Sequence, residues 1–169
     1  HTSGLRPDLD YKPAWSGNET ALRMACAEKP RNPPGAVFVY SDINYITLGE
    51  LVRIVSGRRL DRYTAEEVFR PLGMRDTGFL PPANLQPRIA PTETMKDGTI
   101  LRGVVHDPTT RYMGGVAGHA GVFSTADDLS KFCQMLLDGG DGLFSPVTIR
   151  KFTTPATPVN QTVLRGLGW

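Results

Sequence analysis

The 169-residue sequence predicts a mainly α fold with long irregular loops and little strand. Apolar residues recur at helical spacing in a few separate blocks, and 14 prolines and 18 glycines break the chain between them. Strand-like runs are short. An apolar content of 40% is enough for one core, so residues 1–169 are expected to form a single domain.

The opening HTSGLRPDLDYKP carries Gly4, Pro7 and Pro13 without a helical period and reads as irregular chain. From Asn18 to Glu28, Ala21, Leu22, Met24, Ala25 and Cys26 sit among good helix formers, with Asn18 or Thr20 available as a cap and Pro30 ending the run. The apolar run Ala36 to Tyr40 is too brief to assign by period and is open to an extended conformation. Asp42 to Ser56 is a helix with one stripe of Tyr45, Leu48, Val52 and Val55, and with Ile43, Ile46 and Ile54 on other sides, so it is expected to be largely buried. Gly57 closes it as a left-handed cap. A further helix runs from Leu60 to Pro71, and the short connection favours antiparallel packing of the pair through Leu60, Tyr63 and Val68, the expected core.

From Arg75 to about Gly115, frequent Pro, Gly, Thr and Asp leave only weak strand signals such as Gly98 to Leu101, so this stretch is expected to be mostly loop that covers a site or supports missing neighbours. The strongest remaining helix starts at STADD, where Ser124 with Asp127 and Thr125 with Asp128 are alternative capping pairs. Leu129, Phe132, Cys133, Leu136 and Leu137 form its stripe before Gly139 and Gly140, and Ser145-Pro146 opens a shorter helix through Phe152.

The net charge of +2 arises from 19 basic and 17 acidic residues with no like-charge block, which points away from nucleic acid. No stretch approaches the ~20 apolar residues of a membrane span. The chain begins at His1, so an upstream signal peptide or anchor stays open. Cys26 and Cys133 make no disulfide framework; Cys133, on an apolar stripe, is expected to be a buried thiol. The histidines and cysteines show no close ligand spacing, so neither a metal nor another cofactor is expected.

Four segments occur in order: HTSGL at 1–5, YSDINYITLGELVRIVSG at 40–57, PLGMRDTGF at 71–79 and GGVAGHAGVFSTADDLSKF at 114–132. Together they resemble the β-lactamase-related serine hydrolases, which include class C β-lactamases, penicillin-binding proteins, D-alanyl-D-alanine carboxypeptidases, D-aminopeptidases and esterases. The resemblance implies that the chain is the helical part of a β-lactamase/transpeptidase-like α/β fold. That family uses an S-x-x-K box with the nucleophile, a Y-x-N box, and a K-T-G or H-x-G box. Only the second has a counterpart here, as Tyr40-Ser41-Asp42. The first is expected upstream of His1 and the third beyond Trp169, making the chain a fragment that is inactive in isolation. Gly118-His119-Ala120-Gly121 has an H-x-G look but matches another family segment and reads as a loop at the edge of the site.

The resemblance makes Tyr40 the catalytic proton shuttle of a two-step acyl transfer. A phenol titrates near ~10, so it works at neutral pH only beside cations, which the missing boxes would supply. Asp42 replaces an amide donor with a carboxylate at a substrate-binding position. Ser41 and Asp42 also suit helix caps. His119, between glycines, is either a solvated loop residue or a substrate-side one, and His106-Asp107 is either a pair supporting the site from behind or, the preferred reading, a turn. The expected substrate is a small molecule or peptidoglycan-type peptide such as a D-alanyl peptide, a β-lactam or a related ester, and the expected setting is periplasmic or secreted. The alternative is a noncatalytic binding or regulatory module on the same scaffold.

Overall fold

The computed structural model describes residues 1–159 and 161–169. Among the described residues there are six α-helices: α1 (Asn18–Ala27), α2 (Asp42–Ser56), α3 (Leu60–Thr64), α4 (Pro108–Tyr112), α5 (Ala126–Leu137) and α6 (Pro146–Thr153). Four short strands accompany them: β1 (Gly78–Phe79), β2 (Pro91–Thr94), β3 (Ile100–Arg102) and β4 (Val122–Phe123). The mainly helical architecture is as the sequence predicts.

The core lies between α1 and α2. Ala21 and Ala25 of α1, Ile43 and Ile46 of α2, Leu9 from the irregular start, and Met113 and Ala117 after α4 are buried together. Small residues on α1 let the two helices approach, and the isoleucines fill the gap. The expected core between α2 and α3 needs correction. Leu60 does pack on α2 beside Gly49, yet Leu48, Leu51, Ile54 and Val55 are exposed, so α2 is buried along one side only.

Helix ends follow local chemistry. Gly57 caps α2 at φ 68°, a left-handed conformation that glycine adopts without a Cβ clash, and its N–H reaches the Arg53 carbonyl at 2.9 Å. Thr125, of the two candidates, caps α5 by accepting from Asp128 N, while the Ser124 hydroxyl pairs with that of Thr77 at 2.7 Å. Ser145 caps α6 with Pro146 in its first turn. For α1 neither Asn18 nor Thr20 is the cap: Gly17 occupies that position. α3 continues into one π-type turn over Ala65–Phe69 before Pro71.

The 75–115 stretch holds more order than expected. β1 pairs antiparallel with β4 through Gly78↔Phe123 and Phe79↔Val122. β2 and β3 form a hairpin with a bulge between Pro91 and Glu93, and α4 follows. Buried Asp128, at the start of α5, accepts from Asp76 N (2.7 Å), Thr77 Oγ1 (2.9 Å) and Lys131 Nζ (2.9 Å), tying α5 to the chain before β1. Cys133 corrects the sequence reading: it is exposed, as are Leu129 and Leu137 on the same helix.

Candidate active site

The irregular first segment lies along residues 31–42 through main-chain bonds from Arg31 N to Gly4 O, Gly35 N to Thr2 O, Val39 N to His1 O and Asp42 N to Pro7 O. This brings His1 against Tyr40. The Ser41 amide donates to His1 Nδ1 at 3.0 Å, and the two rings lie 4.3 Å apart between centroids with a 31° tilt. Phe38 and Tyr45 meet the same imidazole from other sides, at 5.5 and 5.1 Å. Ser41 is fully buried and its hydroxyl donates to Arg6 O at 2.6 Å, so neither Ser41 nor Asp42 caps α2 with its side chain.

Tyr40 is 55% exposed. It lines a cavity of about 530 Å³ together with His1, Asp42, Asn44, His119 and the C-terminal residues Arg165 to Trp169. Among the described residues the Tyr40 hydroxyl makes no hydrogen bond. It is open to the cavity from the end of the segment that His1 holds.

His119 reaches this cavity because the 114–121 loop runs tightly along α2. A Cβ at Gly118 would lie 1.9 Å from the Tyr45 carbonyl oxygen, so only glycine fits. His119 is not the solvated loop residue that one reading allowed: its side chain is 3% exposed. Its Nε2 lies 2.9 Å from Asp107 Oδ1 and 3.0 Å from Thr110 Oγ1. Asp107 meanwhile caps α4, accepting from Thr110 N at 2.6 Å. The turn preferred at His106-Asp107 is therefore a helix cap, and Asp107 also stands behind His119, as the other reading of that pair allowed.

The Asp42 carboxylate makes no hydrogen bond or ion pair among the described residues. Burial pushes its carboxyl up, His119 opposes the rise, and the charges of Asp8 and Asp107 add to it. For Asp107 burial also acts upward, but the bonds from His119 and Thr110 outweigh it and hold the carboxyl at about 2. Asp8 accepts from Thr109 Oγ1 at 2.8 Å and from the Tyr11 hydroxyl, whose pKa is pushed up to about 12 by burial and then by that carboxylate. Tyr40, Asp42 and His119, the three residues singled out from the sequence, thus share one cavity wall, with Asp107 behind His119.

The model of the family described as Beta-lactamase matches residues 1–169, the whole chain. The chain belongs to the β-lactamase family. It is 40% identical over 155 residues to the "Putative D-alanyl-D-alanine carboxypeptidase" of Escherichia coli (strain K12), covering 80% of this chain and 35% of that protein. The namesake from Salmonella schwarzengrund (strain CVM19633) is 34% identical over 195 residues, covering all of this chain and 44% of that one. The chain thus spans less than half the length of these relatives. The octameric penicillin-binding protein homologue from Pyrococcus abyssi superposes with a TM-score of 0.75 at 22% identity, over 99% of this chain and 41% of that one. The penicillin-binding protein from Bacillus halodurans gives 0.74 at 24%, over 99% and 52%. Both likenesses show the fold: this β-lactamase-family chain is the helical part of it. No helix among the described residues is long and apolar enough to cross a membrane.

Proposed function

We propose that this chain is the Tyr40-bearing part of a serine hydrolase that, in a longer polypeptide, acts by acyl transfer on D-alanyl peptides, β-lactams or related esters. The supporting observation is the placement of Tyr40: it stands at the position of the family's Y-x-N box, opens into the cavity, and is held from behind by His1. The name of the E. coli relative favours a peptide ending in D-alanine, which would put the protein in the periplasm or outside the cell.

In this reading a serine from an S-x-x-K segment attacks the carbonyl, Tyr40 takes the serine proton and passes it to the leaving amine or alkoxide, and water then releases the acyl group. Residues 1–169 contain no Ser followed three residues later by Lys. The nucleophile therefore comes from outside the chain, and the chain alone is inactive. Asp42 accepts rather than donates hydrogen bonds at the substrate wall.

The experiment incubates the chain, and separately a polypeptide carrying it with its flanking segments, with a chromogenic β-lactam, a short ester and an N-acylated D-alanyl-D-alanine peptide, read by intact mass and turnover. Labelling and turnover are expected of the longer polypeptide only. Labelling of the 169-residue chain would place the nucleophile within it, and an inert longer polypeptide would favour a noncatalytic module.

A further inference from the structure

His1 meets Tyr40 through a contact that depends on where its ring carries a proton. The Ser41 amide donates to His1 Nδ1 at 3.0 Å, so Nδ1 presents a lone pair and the single proton of the neutral ring sits on Nε2. The imidazole lies against the Tyr40 ring, 4.3 Å between centroids, and lines the same cavity. We propose that His1 is a positioning residue for Tyr40 that works only as the neutral imidazole protonated on Nε2, so that a proton on Nδ1 releases Tyr40 and slows acylation in acid. This role for His1 rests on the acyl-transfer reading of Tyr40.

The segment 39–42 is held to the start of the chain by four bonds. Val39 N donates to His1 O at 2.9 Å, Asp42 N to Pro7 O at 2.7 Å and the Ser41 hydroxyl to Arg6 O at 2.6 Å. These three end on main-chain carbonyls, which take up no proton near neutral pH. The fourth, from Ser41 N to His1 Nδ1, ends on an atom that does.

A proton on Nδ1 sets two N–H groups against each other and leaves the part-buried Ser41 amide without an acceptor. The imidazole must then turn or swing away, and the Tyr40 ring loses the wall it rests on. A cation over the face of Tyr40 offsets part of this, but beside a cavity open to water that attraction is weaker than the lost hydrogen bond. Phe38 and Tyr45 face the ring from other sides and bring no carboxylate to it. In the shared cavity Asp42 favours a charged ring, whereas Arg165 and the α-amino group of His1 oppose one, and His119 is engaged with Asp107.

The test uses the longer polypeptide that carries this chain with its flanking segments, in which the α-amino group of His1 is a peptide nitrogen. Single-turnover acylation is followed between about pH 5 and pH 8 for the unsubstituted protein, His1→Ala and His1→Asn. Asparagine places its Oδ1 where the ring has Nδ1, so it accepts from the Ser41 amide without titrating. The unsubstituted rate is expected to fall as pH drops through about 6.5. At the upper end of the range His1→Ala is expected to be slowed about 10- to 100-fold, and His1→Asn to recover most of that loss and to lack the acid fall.

NMR of ¹⁵N-labelled histidine rings in the same polypeptide supplies a readout that needs no activity. The His1 ring is expected as the Nε2–H tautomer at neutral pH, with the Ser41 amide and Tyr40 ring signals moving together as it takes up a proton. An inert longer polypeptide would be a failure of the hydrolase reading, and the NMR titration would still decide whether His1 holds Tyr40 in this way, as it would should His1→Ala fail to fold. An acid fall that His1→Asn retains, an Nδ1–H ring at neutral pH, or a Ser41 amide signal that stays fixed while His1 titrates overturns the proposal.

Discussion

His119 loses its water because Gly118 lets the loop backbone touch the Tyr45 carbonyl, and the same contact puts the ring against Asp107. The sequence marks Tyr40 and Asp42 through a contiguous box, so both were legible. The burial of His119 and the part played by Asp107 were not, since each depends on a tertiary contact across separate segments. His1 illustrates the same limit: its motif is visible, while its bond to the Ser41 amide appears only once residues 1–7 lie along 31–42. Replacing Gly118 by Ala drives a methyl group into backbone and is expected to cost about 1–3 kcal/mol, read as a lower urea midpoint with unchanged m. His1→Ala leaves a part-buried amide without its acceptor and is expected to cost about 1 kcal/mol by the same measurement.

At the scale of elements, α1, α2, α5 and α6 came through because their periods are local, whereas α4 fell in a stretch expected to be loop. The position of the core did not, because α1 and α2 meet through Ala21, Ala25, Ile43 and Ile46, whereas the longest apolar stripe of α2 stays outside. β1 and β4 are two-residue strands with residues 80–121 between them, and no local pattern announces their pairing. α5 is fixed to the segment before β1 by Asp128. Burial acts to raise that carboxyl, but Lys131, Thr77 and the Asp76 amide outweigh it and leave it lowered. A lowered carboxyl contributes stability that is complete above its unfolded value of about 3.9 and is lost as pH falls through the folded value. Thermal melts of Asp128→Asn between pH 5 and pH 3 should therefore lose less Tm than the unsubstituted chain. A parallel loss would show that Asp128 carries no linkage.

For the molecule as a whole, the mainly helical class was legible from composition and period, and the exposure of its apolar residues was not. Val55 is 79% exposed and Leu137 81%, with Ile54 and Val147 also open to solvent. Leu51, Ile54 and Val55 are exposed together on α2, and apolar surface grouped in this way favours association, so Val55→Glu is expected to shift sedimentation at high concentration toward monomer. One cavity joins Tyr40, Asp42 and His119, and there Tyr40 is proposed to move the proton in acyl transfer. The most direct measurement is the single-turnover acylation rate of a polypeptide carrying this chain with its flanking segments, compared with its Tyr40→Phe variant. A fall of about 100-fold or more is expected, with the fold unchanged by circular dichroism. An acylation rate within a few-fold of the unsubstituted protein would rule Tyr40 out as the proton carrier.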